Sequence, residues 1–342
     1  MGKRWVAAAA SVALCGAALT GWTPAVDAAG GGTVVIYSGR TQNLIEPILN
    51  RFAAETGIDV QVRYGNTSDL ALLIEEEGEL SPADVFLSQS PGAIGYLGQN
   101  GVLGMLPDSI LALVPEQFHA SDGSWVGVSG RQRVLAFNPE TVSASELPDS
   151  VFALTEPEWE GRIGVAPANA SFQDFVTAMR LEFGDDTTIE WLEGIAANDA
   201  FTFANNGAIV AAVGRGEIDV GLVNHYYVYR ALDEDPEFSA RNHTFDATDI
   251  GSLVIVTGVS VLADADHPDE AKALIEFLLT PEAQQYFSEE TFEYPLANGA
   301  EPAEALPEVD LTAASDIELD LDDLGGDLST TREMIRDAGL EG

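Results

Sequence analysis

The chain has 342 residues, with 56 Asp and Glu against 15 Lys and Arg, a formal net charge of −41 and a single cysteine. A polyanion of this strength repels nucleic acid and anionic membrane surfaces, so neither is expected as a partner. The lone Cys15 lies in an N-terminal leader, which excludes a disulfide framework, thiol catalysis and a thiolate metal centre from the mature chain.

Residues 1–28 read as an export signal: Lys3 and Arg4 open it, a short Gly/Ala-rich apolar run follows, and Val26-Asp27-Ala28 fits a small-residue cleavage site. The run is too short to span a bilayer. Leu14 before Cys15 fits a lipoprotein signal poorly, so lipid attachment is not expected. The mature protein is therefore expected outside the cytoplasm, in the periplasm or an equivalent compartment. Lys3 and Lys272 are the only lysines, and an acidic, lysine-poor surface suits salty surroundings that screen self-repulsion.

The mature part opens with strand-like "TVVIYSG" (33–39). Leu44, Ile45, Ile48, Leu49 and Phe52 then recur at helical spacing up to Gly57, with Pro47 predicting a kink or a late start. "DVQVRYG" (59–65) reads as a strand, 68–80 as a helix capped by Ser68 or Asp69, and "ADVFLSQS" (83–90) as a strand. This βαβαβ order predicts an open parallel sheet with its ligand beyond the carboxyl ends of the strands. "WVGVSG" (125–130) and "RVLAFN" (133–138) read as one extended pair and "SLVIVTGVSVLA" (252–263) as another, crossing between two lobes. Between them runs a second α/β series ending in "DVGLVN" (219–224). Residues 267–287 read as two amphipathic helices, the first capped by Asp269 and the second restarted by Pro281. The acidic run near 317–327 fails the calcium-loop template, because Leu324 stands where an oxygen ligand belongs, and reads as a solvated face. A last helix over 330–339 packs back through Met334, Ile335 and Leu340.

Chemistry concentrates at "NHYYVYR" (224–230). In a strand Tyr226 and Tyr227 would face opposite ways, so they can share a ligand only if the chain turns after Asn224. Two phenolates suit a hard trivalent cation, Fe(III) above all; two tyrosines capping a core is the alternative. Asn205, Asn206 and Gly207 stand at one helix start, and Asn169, Ala170 and Ser171 at another, where backbone N–H groups favour an anion. Arg131 and Arg133 supply fixed positive charge. His225 reads as a turn residue that orients the tyrosines or as a further ligand. No nucleophile elbow, paired-histidine zinc motif or P-loop is present, so the chain is not expected to be an enzyme.

Through "VIYSGRTQ", "EEEGELSPADVFLSQ", "SGRQRVLAFNPE", "NNGAIVAAVGRGEIDVGLVNHYYVYR" and "EYPLANG", nearly the whole mature chain resembles the ferric-ion-binding periplasmic proteins of ABC iron transporters, bacterial relatives of transferrin. The resemblance implies an α/β clamshell of two lobes, class II and transferrin-like, joined by two crossover strands: 33–132 plus 257–305, and 133–256 plus 306–342. It implies Fe(III) as the transported ligand on Tyr226 and Tyr227, with carbonate or phosphate as synergistic anion held by Arg131, Asn169, Ala170, Ser171, Asn206 and Asn224. The partner would be an ABC permease in the inner membrane, met by a monomer. Thr41, Gln42 and Gln89 stand where some members carry further ligands, and Phe172 where some carry a third tyrosine. With these departures, anion and water oxygens or the Gln89 and Gln42 carbonyls would complete the shell. The other reading keeps the fold and binds an organic anion, phosphate ester or iron chelate.

Overall fold

The computed structural model describes residues 31–307, 309, 311, 321–325 and 328–340. The leader assigned to 1–28, with Lys3 and Cys15, lies outside the described residues. As the apolar periods require, the chain begins β1 (Thr33–Ser38), α1 (Gln42–Thr56), β2 (Asp59–Tyr64), α2 (Thr67–Glu77), β3 (Val85–Ser88), α3 (Pro91–Gln99) and the short α4 (Asp108–Leu111). β1 lies between β2 and β3, parallel to both. Leu44, Ile45, Ile48, Leu49 and Phe52 form the buried face of α1, and Gly57, at φ +74°, closes the helix with its N–H on the Ala53 carbonyl. Pro47 neither delays nor ends α1. It lies on the exposed side of the second turn and forfeits only its own hydrogen bond.

The second half runs β4 (Val126–Phe137), β5 (Ile163–Val165), α5 (Ala170–Phe183), α6 (Asp185–Ala197), β6 (Phe201–Thr202), α7 (Asn206–Gly214), β7 (Val220–Asn224), α8 (Tyr226–Glu234) and β8 (Arg241–His243). It closes with β9 (Val254–Val261), α9 (Pro268–Leu278), α10 (Pro281–Glu289), β10 (Tyr294–Pro295) and α11 (Leu328–Asp337). The strands are ordered β2-β1-β3-β9-β4-β7-β5-β6, with β8 and β10 also on β4.

β4 is the structural axis. The two segments expected as an extended pair are one twelve-residue strand, with a bulge at Gly127–Ser129 and with Arg131 and Gln132 carrying the pairing between them. Val126–Gln132 pair with β9, and Arg133–Phe137 pair with β7. Every residue of β4 is buried, Arg131 and Arg133 included.

Three local expectations are corrected. Asn66, not Ser68 or Asp69, caps α2, its Oδ1 accepting the N–H groups of both. His267 precedes α9 and Pro268 takes the first helical position, which leaves Asp269 in the first turn as a favourable charge near the positive helix end. Of the acidic run, Asp322 is not simply solvated: its carboxylate accepts from Trp125 Nε1 (2.8 Å), Ser121 N (2.8 Å) and Ser121 Oγ (3.0 Å). Leu324 is fully buried, and the turn Leu321–Gly325 packs on α3, while α11 packs on α5 with Met334 and Ile335 inward.

Candidate metal and anion site

The strand β7 stops at Asn224 because the His225 side chain, rather than its carbonyl, takes the Gln132 N–H that would continue the ladder. His225 is already helical, at φ −53° and ψ −40°. Its N–H donates to the Gln132 carbonyl (3.0 Å), its Nδ1 accepts the Gln132 N–H (3.1 Å), and its carbonyl accepts from Asn242 Nδ2 (2.9 Å). The imidazole stacks on Tyr294, with centroids 4.7 Å apart. Burial pushes its pKa down to about 4, so the ring is neutral at physiological pH. His225 therefore orients the turn, the first of its two sequence readings.

This turn changes the relation of the two tyrosines. At the start of α8 their rings stack at 4.3 Å with 27° between planes. Tyr226 is fully buried, yet its surroundings are polar: Gln89 Nε2 donates to its hydroxyl (3.3 Å), and Arg40, Arg131 and Arg133 lie within its electrostatic reach. Tyr227 is half-buried. Burial raises its pKa well above 10, as do the charge and hydrogen bond of Tyr226, against the lowering influence of Arg131 and Arg40.

Three guanidiniums converge here. Arg131 and Arg133, two apart on β4, share a face. Arg131 donates through Nη1 to Thr257 Oγ1 (2.6 Å) and through Nη2 to the Val256 carbonyl (3.3 Å). Arg133 donates to Asn224 Oδ1 (3.0 Å) and lies over the Phe175 ring; burial and the neighbouring Arg131 depress its pKa to about 10. Arg40, just past β1, donates to Glu293 Oε1 (2.7 Å) and Thr257 Oγ1 (2.8 Å). Burial works against its charge, but Glu293, Tyr226 and Tyr227 outweigh that and raise its pKa. Glu293 is buried too, and Arg40 more than offsets the burial, so its pKa is lowered. Asp174, on α5, faces Ser90, the Gly92 N–H, Arg131 and Arg133; burial nevertheless pushes its carboxyl up to about 6.

The helix starts are built as the sequence suggests. Asn169 caps α5, its Oδ1 accepting from Ser171 N (3.1 Å) and Ser171 Oγ (2.6 Å), and Asn224 Nδ2 donates to Ser171 Oγ (3.2 Å). Ala170 opens the helix and is buried. Asn205 caps α7 through Ala208 N (2.9 Å). Asn206 is fully buried with neither amide atom hydrogen-bonded, and the adjacent Gly207 lies against the Tyr227 ring. A buried amide without partners is costly, and here it stands beside a phenol.

The remaining sequence candidates lie elsewhere. Thr41 and Gln42 are exposed, and Gln42 Nε2 donates to Glu46 Oε1 (2.7 Å). Phe172 is a core residue, packed with Phe175 and Trp191 at centroid distances of 6.3 and 6.4 Å. One cavity, of about 650 Å³, is lined by Asn66, Asp69, Gln173, Arg332 and Arg336 and by neither tyrosine. Sequence reasoning missed Arg40, Glu293, Thr257 and Asp174. A signal existed for Arg40, which follows Gly39 at the carboxyl end of β1, where open α/β sheets bind ligands.

No group of three or more His, Cys, Asp or Glu among the described residues is arranged to hold a metal. Residues 81–320 match the family model of the bacterial extracellular solute-binding proteins. The Fe(3+)-binding periplasmic protein of Serratia marcescens is 32% identical over 271 residues, which is 78% of this chain and 80% of that protein. The major ferric iron-binding protein of Neisseria meningitidis serogroup B is 33% identical over 291 residues, 83% of this chain and 85% of that one. Iron-bound HitA from Pseudomonas aeruginosa superposes with a TM-score of 0.84 at 34% identity, covering 90% of this chain and 100% of that structure.

Proposed function

The chain belongs to the bacterial extracellular solute-binding protein family, and we propose that it is an extracytoplasmic ferric-ion-binding protein that captures Fe(III) with a synergistic anion and delivers it to an ABC permease. The cargo would be held by the phenolate oxygens of Tyr226 and Tyr227, with Gln89 beside them. The observation that carries the reading is the convergence of two adjacent tyrosines in a buried pocket of guanidiniums. Two phenolates match the hardness of a trivalent ion, and the relatives named above are ferric-binding.

The residues fit an anion as well. Arg131 Nε and Asn206 Nδ2 are buried donors without acceptors, beside the α5 start at Asn169, Ala170 and Ser171 and the amide of Asn224. Carbonate or phosphate would supply oxygens to these groups and lessen their excess positive charge.

No bond in the cargo is made or broken; the work is closure of two lobes, a population shift driven by the ligand's preference for the closed state. Lobes of 33–132 plus 257–305 and 133–256 plus 306–342 are supported by β4, which changes partner from β9 to β7 between Gln132 and Arg133. Export fits the leader at 1–28, and among the described residues no helix is long and apolar enough to cross a membrane. Docking on the permease would be as a monomer.

Competition for Fe(III) between the protein and a calibrated chelator, with and without added carbonate, tests the reading. Tight retention that depends on Tyr226, Tyr227 and the anion is expected. Retention no better than that of the Tyr226→Phe/Tyr227→Phe variant would overturn it.

A further inference from the structure

Arg40 and Arg131 come from strands β1 and β4, yet both guanidiniums donate to the same atom, Thr257 Oγ1, at 2.8 and 2.6 Å. One hydroxyl thus pins two like charges side by side in a region closed to water. Only one ionised carboxylate is bonded to the pair. Glu293 takes Arg40 Nη1 at 2.7 Å and is held in turn by Ser129 Oγ (2.9 Å) and Thr291 Oγ1 (3.3 Å). With Arg133 and the Asp174 carboxylate that faces Arg131 and Arg133 included, three buried cations stand against two carboxylates, a positive excess that a folded protein tolerates when a further negative group arrives.

The unused donors indicate the shape of that group. Arg40 Nε and Nη2 are buried without acceptors, and so are Arg131 Nε and Arg133 Nε and Nη2. Nε and Nη2 can form the side-on edge of a guanidinium, the edge that meets two oxygens of a planar or tetrahedral oxyanion with parallel N–H bonds. A guanidinium stays protonated in a protein and Arg40 has the Glu293 carboxylate at 2.7 Å, so this edge is permanently charged.

We propose that Arg40 is a ligand-binding residue of this site, forming with Arg131 a paired-guanidinium clamp for a small multivalent oxyanion, carbonate or phosphate, beside Tyr226 and Tyr227. The proposal rests on the ferric-ion-plus-anion reading and adds to it a residue from the far side of the sheet. Arg133 stands apart from this pair: it is bonded to Asn224 rather than Thr257 and lies over Phe175, although its own Nε and Nη2 are also without acceptors.

Calorimetric titration of the metal-free protein with inorganic phosphate and with bicarbonate tests it, repeated as ferric titrations in either anion. Arg40→Gln and Arg40→Lys should each weaken the anion at least about tenfold, the lysine because it keeps the charge and loses the fork. Since Arg40→Gln strands Glu293, the double variant Arg40→Gln/Glu293→Gln, which removes both charges at nearly constant shape, is measured beside them with its thermal unfolding. Unaltered anion binding in the folded double variant, with loss in Arg131→Gln, would reduce Arg40 to a structural ion pair and overturn the proposal while leaving the ferric reading intact. Ferric loading equally tight with and without anion, in wild type and Arg131→Gln alike, would overturn the anion site itself.

Discussion

Tyr226 and Tyr227 are neighbours in sequence and also neighbours in space, their rings stacked 4.3 Å apart. Adjacent strand residues cannot do this; the two achieve it because α8 begins at Tyr226, directly after the His225 turn. The Tyr227 phenol is raised well above 10, chiefly by burial. At neutral pH the metal-free phenol is therefore protonated, and Fe(III) must displace the proton. Ferric ion bound through Tyr227 should release the proton of that phenol, and affinity should rise with pH. A pH-stat titration measures the number, and Tyr227→Phe should release about one fewer. Iron uptake without proton release would mean that the phenols are not the donors.

His225 ties the turn to β4. Its Nδ1 is the acceptor for the buried Gln132 N–H, so His225→Ala strands that donor and removes the stack on Tyr294. A loss of about 1–3 kcal/mol in unfolding free energy follows, measurable by urea denaturation. A variant as stable as wild type would remove the assigned role.

Asp174 makes a signed pH prediction. Its carboxyl is pushed up to about 6 from an ordinary 3.8, burial outweighing the help of Ser90, Arg131, the Gly92 N–H and Arg133. Between those values the native state binds more protons than the unfolded one. The group's favourable contribution is therefore complete below about pH 4 and is lost as pH climbs to about 6, a swing of about 3 kcal/mol. Asp174→Asn stays neutral throughout. Its stability relative to wild type should rise across that window by up to this amount, and a difference constant from pH 4 to 7 would contradict the assignment.

The carboxy-terminal turn depends on a backbone contact with α3. A Cβ on Gly325 would fall 2.3 Å from the Gly95 carbonyl carbon and the Tyr96 nitrogen, main-chain atoms that cannot swing aside. Gly325→Ala should cost about 1–3 kcal/mol and loosen the Asp322 clasp on Ser121 and Trp125, with a lower melting temperature and faster proteolysis of the tail. An unchanged melting temperature would mean the turn is dispensable.

What the sequence could disclose followed the range of the interaction. The buried face of α1 and the Gly57 stop depend on residues a few positions apart, and period alone revealed them. The β4 bulge at Gly127–Ser129 and the run of one strand through Arg131 and Gln132 depend on the partner β9, which no local pattern reveals. Among the candidate site residues, Tyr226, Tyr227, Asn169, Ser171 and Asn206 were marked by their immediate neighbours, and Asn224 and the anion role of Arg131 by the family resemblance. Arg40 and Glu293 stand 253 residues apart and meet only in the folded sheet, and no local pattern connects them. Nor could the sequence tell that Gln42 would turn to Glu46 while Gln89 reached Tyr226.

The visible absorption spectrum on adding ferric ion in carbonate buffer tests the central claim most directly, since phenolate bound to Fe(III) absorbs visible light and free tyrosine does not. Wild type should turn coloured and saturate at one ion per chain, each single variant, Tyr226→Phe or Tyr227→Phe, should lose intensity and affinity, and the pair together should stay colourless. A wild-type protein that binds ferric ion without colour, or a double variant that colours as strongly, would show that these two hydroxyls do not hold the metal.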